Sequence, residues 1–171
     1  DTYLADPKAT DQLEDTLLAL GRADDPSVVP KLLPLLSHAS ANIRVAAAEA
    51  ISRLGEPALC ESLMPLLASK SLQEKLIVAA ALDRWKPDAC YKSIVGRLEV
   101  EPDVPVRAYL YAAMSTMGGE SALPALRVFL KTPNQFYQAV VVDSIGLIGS
   151  KKGLNMLRAL LQDANLNTVA H

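Results

Sequence analysis

The chain has little of what enzymes use. Its 171 residues include two histidines, two cysteines and one tryptophan, and aromatics make up 5% of the total. His38 and His171 lie far apart, and His171 is terminal. Cys60 and Cys90 are not spaced as a zinc pair, and no glycine-rich phosphate loop occurs. No catalytic, metal or cofactor constellation can be assembled, so the sequence argues against an enzyme. A charge excess is missing too. With 17 basic residues against 19 acidic ones, there is no broad positive field to concentrate nucleic acid or anionic lipid. No apolar run approaches the roughly 18 to 20 residues of a membrane span, and no charged-then-apolar leader is present. Nucleic-acid binding and membrane insertion are therefore not expected of the chain.

What it does have is repetition. Leu36, Leu67, Leu98, Leu130 and Leu161 recur at a step of 31 to 32 residues. A companion column of Leu20, Leu54, Trp85, Met117 and Ile148 is followed by Gly21, Gly55, Gly118 and Gly149, with Lys86 as the exception. A period of this size on two apolar columns is the mark of a helical-repeat solenoid. Half of the residues are hydrophobic but few are aromatic, so the core must be built from Leu, Ile, Val and Ala, in an all-α domain.

Stepping fourteen residues back from the companion column reaches Asp6, Ser40, Ser71, Asp103 and Asn134, all good helix N-caps. Pro7 follows Asp6, and Ser71 with Glu74 makes a capping box. The spacing predicts second helices over 7–20, 41–54, 72–85, 104–117 and 135–148, each stopped by a left-handed glycine. At Lys86 that conformation would cost on the order of 1 kcal/mol. The first helices are expected near 26–37, 57–68, 87–99, 120–131 and 151–162. Their buried stripe carries Val29, Cys60, Tyr91, Leu123 and Leu154, then Leu32, Leu63, Ile94, Leu126 and Leu157. Pro34 and Pro65 fall inside them in register and read as tolerated kinks. The repeat boundaries fall near 25, 56, 86, 119 and 150 of a single array spanning 1–171.

Cys60 and Cys90 sit in apolar columns of successive first helices. Axes some 8 to 10 Å apart span a disulfide poorly. Two buried thiols are expected, which favours a reducing compartment.

The run Ile43-Arg44-Val45-Ala46-Ala47-Ala48-Glu49-Ala50-Ile51-Ser52-Arg53-Leu54-Gly55-Glu56-Pro57-Ala58-Leu59, continuing to Pro65-Leu66-Leu67, resembles a HEAT repeat. Its pattern of Val-Arg, Ala-rich helix, Leu-Gly, Pro-Ala-Leu and Leu-Leu is most similar to the short HEAT-like units first associated with phycobilisome lyases. Val106-Arg107, Ala112-Ala113 and Met117-Gly118 repeat it, and Gln138 to Gly149 repeat it more loosely. The resemblance implies a right-handed α-α superhelix, a solenoid of about five two-helix repeats, whose second helices line the concave side. It further implies a column of helix-start bases, Arg44, Lys75 and Arg107, paired with cap acids of neighbouring repeats. Here Ser40, Ser71 and Asn134 replace those acids, so the ladder is expected only around Asp103 and Asp6. The family includes a di-iron hydroxylase type that needs His-Glu pairs, and this chain has none.

Helical geometry turns Ala47, Val78, Leu110 and Val141 to the core. It turns Val45, Leu76, Ala108 and Ala139, then Glu49, Ala80, Ala112 and Asp143, then Ser52, Asp83, Ser115 and Gly146 away from it. The inner face would be a groove floored by small residues, with Val45 and Leu76 on it. Glu49, Asp83 and Asp143 would be acids selecting a basic partner, and Tyr111 and Phe136 nearby aromatic anchors. The function expected is a non-enzymatic scaffold or adaptor that binds a protein or peptide there. A bilin-lyase or other tetrapyrrole-handling subunit, and a structural spacer, are the alternatives. Asn165 lies 31 residues after Asn134, so Leu166 to His171 read as the start of another second helix. That pattern, with Asp1 in place of Met, suggests a piece of a longer array whose uncapped last repeat could self-associate or meet another domain.

Overall fold

The computed structural model describes residues 7–55, 57–131 and 135–162. Asp6, Asn134 and the segment from Leu166 to His171 lie outside them. Among the described residues every regular element is helical. The chain divides into two compact units, Asp1–Trp85 and Lys86–His171, and the division falls at the repeat boundary expected near 86.

In the first unit the long helices are α1 (Pro7–Leu20), α3 (Ala41–Leu54) and α5 (Leu72–Trp85). All three have the expected bounds. The intervening first helices are less regular. Each is one turn of α-helix, α2 (Val29–Leu32) or α4 (Cys60–Leu63), continued by a 3-10 stretch, Leu33–Ser37 or Met64–Ala68. Pro34 and Pro65 each open such a stretch. A proline has no N–H to donate four residues back, so the chain tightens to three-residue bonds there. The second unit has α6 (Tyr91–Val100), α7 (Val104–Gly118), α8 (Leu123–Phe129), α9 (Gln135–Ile148) and α10 (Lys151–Gln162). The fold is an all-α solenoid of helical repeats.

The core columns are largely where the periodicity put them. Of the expected stripe, Tyr91 is only half-buried. On α10, which has no helix of a following repeat among the described residues to cover it, Leu157 is half-buried and Leu154 is 48% exposed. Ala47, Val78, Leu110 and Val141 are all fully buried, as are Leu63, Ile94 and Leu126. Leu36, Leu67, Leu98 and Leu130 are buried too, whereas Leu161, their equivalent on α10, is 74% exposed. Trp85 is half-buried.

The glycine column serves the expected left-handed stop at Gly149 and a different purpose elsewhere. Gly149 has φ +63, but Gly55 has φ −84, and the left-handed residue after α7 is Gly119 rather than Gly118. A Cβ on Gly21 would stand 2.8 Å from the Cα of Ala50, and one on Gly118 2.8 Å from the Tyr91 ring. These glycines let neighbouring elements approach. Lys86 does adopt the left-handed conformation, at φ 50.

Both cysteines are disulfide-bonded rather than free thiols. The spacing of helix axes was too coarse a guide to bonding, because a Cα stands about 2.3 Å off its helix axis. The lean towards a reducing compartment falls with the thiols.

Candidate protein interface

The second helices α3, α5 and α7 are each started by a similar set of bonds. The cap residue's own N–H donates to a side chain two residues earlier: Ser40 to His38 Nδ1 at 3.1 Å, Ser71 to Ser69 Oγ at 3.0 Å, Asp103 to Glu101 Oε1 at 2.9 Å. Four residues on, the basic column reaches back over the same turn. Arg44 Nη1 donates to the carbonyls of His38 and Ala39 at 2.7 and 2.9 Å, and Arg107 Nη1 to that of Glu101 at 2.8 Å. The capping box is only half formed. Glu74 N–H lies 3.4 Å from Ser71 Oγ, but the Glu74 carboxylate turns instead to Arg44 at 2.7 Å. An acid of the neighbouring repeat thus pairs with Arg44 where none was expected, since the ladder was placed only around Asp103 and Asp6. Glu74, at the third helical position, substitutes for the acid missing at the Ser71 cap. The basic column is structural.

Tyr111 is not an anchor on the surface. It is fully buried, accepts from Arg107 Nη2 at 2.6 Å and packs edge-on to Phe129 with centroids 5.1 Å apart. Burial pushes its hydroxyl pKa up, against the opposing pull of Arg107. Arg107 also lies 4.5 Å from the Tyr137 ring centre and 5.5 Å from that of Phe129, so its charge is held by aromatic faces. The expectation failed because α7 is enclosed more widely than a two-column pattern implies. Ser115, also placed outward, is fully buried and donates to the Tyr111 carbonyl at 2.8 Å.

The exposed arc of the second helices is accordingly narrow. On α3 it runs Val45, Glu49, Arg53, and on α5 Leu72, Leu76, Ala80, Arg84. Both are rows with a four-residue step, the ridge that neighbouring helices leave bare when they pack at an angle. Val45, Glu49 and Leu76 therefore lie on the accessible face as expected, whereas Ser52 is buried and its place is taken by Arg53. In the second unit Phe136 is 75% exposed on α9, and Asp143 is exposed further along that helix.

Between the α3 and α5 ridges lies an open groove of about 800 Å³, lined by Glu49, Arg53, Leu72, Gln73, Leu76, Ile77, Ala80 and Arg84 among others. Glu49 is not free in it: Arg53 Nη2 binds its carboxylate at 2.8 Å. Asp83 has an interaction of its own and does not line the groove. Arg84 donates to the Ser52 carbonyl at 3.0 Å and makes no ion pair among the described residues. The expected acidic character is thus reversed, with two guanidiniums against one carboxylate. Arg53 and Arg84 were not singled out in the sequence; their 31-residue separation was the available signal.

An all-α array of two-helix repeats with a bare second-helix ridge defines an α-solenoid. The family model of HEAT repeats matches residues 4–83 and 91–171, and the chain belongs to the HEAT-repeat family. That match is to HEAT repeats as a class; the narrower likeness to phycobilisome-lyase units rests on the sequence pattern alone. No curated protein is similar enough to the chain to count as a match. Repeats of this family commonly serve as protein-interaction scaffolds. No helix among the described residues is long and apolar enough to cross a membrane.

Proposed function

We propose that the chain is a non-enzymatic scaffold that binds a partner protein or peptide on the bare faces of its second helices. The observation that supports this reading best is the groove between α3 and α5, where aliphatic side chains stand half-exposed beside charged ones. Such mixing of apolar area with a few placed charges suits a binding surface. Glu49 and Leu76 line the groove in the first unit, and we place Val45 and Asp83 beside it on the same interface. Phe136 and Asp143 are its counterparts on α9, while Tyr111 is withdrawn on account of its burial. A photo-crosslinking amino acid placed at Leu76 or Glu49 should capture the partner, and one placed at the exposed Lys31, on α2, should not. Capture from Lys31 alone would move the interface to the first helices.

A second reading concerns α10. Leu154 and Leu161 are 48% and 74% exposed, whereas Val29, Cys60 and Leu123 at the first position and Leu36, Leu67, Leu98 and Leu130 at the second are buried, which supports the helices of a second copy packing on them. Leu154→Glu should then lower the mass measured by light scattering. An unchanged monomeric mass in both forms would remove this reading.

A further inference from the structure

We infer that the groove between α3 and α5 takes a segment carrying aliphatic side chains followed by an Asp or Glu side chain, whose carboxylate meets Arg84. This deepens the proposed function and rests on it. The α5 wall is a single ridge, Leu72, Leu76, Ala80 and Arg84, twelve residues from end to end and so about 18 Å long. Leu72 is 43% exposed at the start of it, and Leu76, Ile77 and Ala80 are half-exposed along it. The far end is cationic. Arg53 on α3 occupies the place in its repeat that Arg84 occupies on α5, 31 residues later, so both guanidiniums stand at the end where the helices finish. Glu49 neutralises one of them through its 2.8 Å pair with Arg53. Among the described residues Arg84 has only the Ser52 carbonyl as acceptor and no ion pair, which leaves guanidinium donors available for a planar carboxylate. The groove therefore has direction: apolar first, cationic last. A basic partner would be repelled at that end, and a wholly apolar one would cover the charge of Arg84 without pairing it, which is unfavourable.

The test uses a phage-displayed library of random twelve-residue peptides selected on the whole chain. The selected peptides are then synthesised and titrated against the protein, Ala80→Gln and Arg84→Gln, each variant first shown to melt like the parent. Ala80→Gln places a long neutral side chain in the middle of the groove and reports whether a peptide sits there at all. The expected result is a set of peptides that lose affinity on Ala80→Gln and combine Leu, Ile or Met with Asp or Glu. Their binding should fall on the order of tenfold on Arg84→Gln, and equally when the acid is replaced by its amide. The two changes together should cost no more than either alone. Groove-dependent peptides rich in Lys or Arg, or indifferent to Arg84→Gln, would overturn the inference while leaving the interface in place. Peptides indifferent to Ala80→Gln, or none selected, would overturn the interface as well.

Discussion

Arg44 on α3 donates from Nη2 to Glu74 Oε1 on α5 at 2.7 Å, joining the starts of two successive second helices. The Glu74 side chain is 1% exposed and that of Arg44 is 23% exposed. A carboxylate buried to this degree depends on its partner, because an unpaired charge in a low-dielectric interior is costly. Arg44→Met should therefore destabilise the protein by about 3 kcal/mol in urea unfolding. Adding Glu74→Leu should restore part of that loss, since the stranded charge is removed with it. Two independent, additive losses would show that the pair is not coupled.

Glycine substitutions should separate close approach from backbone conformation. Gly21→Ala puts a methyl group 2.8 Å from a backbone atom of Ala50 and should cost roughly 1 to 3 kcal/mol, as overpacking does. Gly146 lies within α9 with nothing within 4 Å of an added Cβ. Gly146→Ala should accordingly gain up to about 1 kcal/mol. Lys86→Gly relieves a left-handed lysine and should gain on the order of 1 kcal/mol. Thermal melts rank the three, and a stabilising Gly21→Ala would contradict the packing role of that glycine.

Leu67 and Leu161 hold equivalent positions, one fully buried and the other 74% exposed. Leu67→Ala should cost about 2 to 5 kcal/mol, and Leu161→Ala less than about 0.5 kcal/mol. Comparable losses at both sites would mean that Leu161 is covered in solution.

Tyr111 makes stability depend on alkaline pH. Burial holds its folded pKa above the ordinary tyrosine value of 10.0, so the folded state retains the proton longer than the unfolded state. Its contribution is complete below about pH 10 and is lost as pH rises through the folded value. Tyr111→Phe removes both this titration and the acceptor of Arg107, so it should cost about 1 to 3 kcal/mol at pH 8. The deficit relative to the parent should shrink at pH 11. A deficit constant across that range would show that Tyr111 does not titrate between the two states.

The helical pattern was legible because it is local and repeated. Ser40 and Leu54 bracket α3 in sequence as they do in space, and Pro34, read as a kink, stands where the helix changes type. The use made of particular side chains was less legible. Glu74 had a sequence reason to cap its own helix, and its pairing with Arg44 depends on how two repeats pack. Gly21 and Gly55 looked like helix stops, but their neighbours from other elements explain them. Tyr111, four residues from Arg107 on the same helix, gave no sign that Phe129 and Tyr137 would gather around that arginine.

By itself the sequence determined the repeat, the bounds of the second helices, most of the aliphatic core columns and the family, since hydrophobic periodicity and chain-breaking residues act within one or two turns. Only the tertiary structure decided which of the remaining positions face solvent and which charges are already satisfied. A helix enclosed from several sides leaves bare a ridge one or two residues wide, and its place is set by the packing of neighbouring helices. Ser52 and Arg53 are adjacent in sequence, yet one is buried and the other exposed. Glu49 was an acid in the sequence and is half of an ion pair in the fold, which leaves Arg84 to set the charge of the candidate interface.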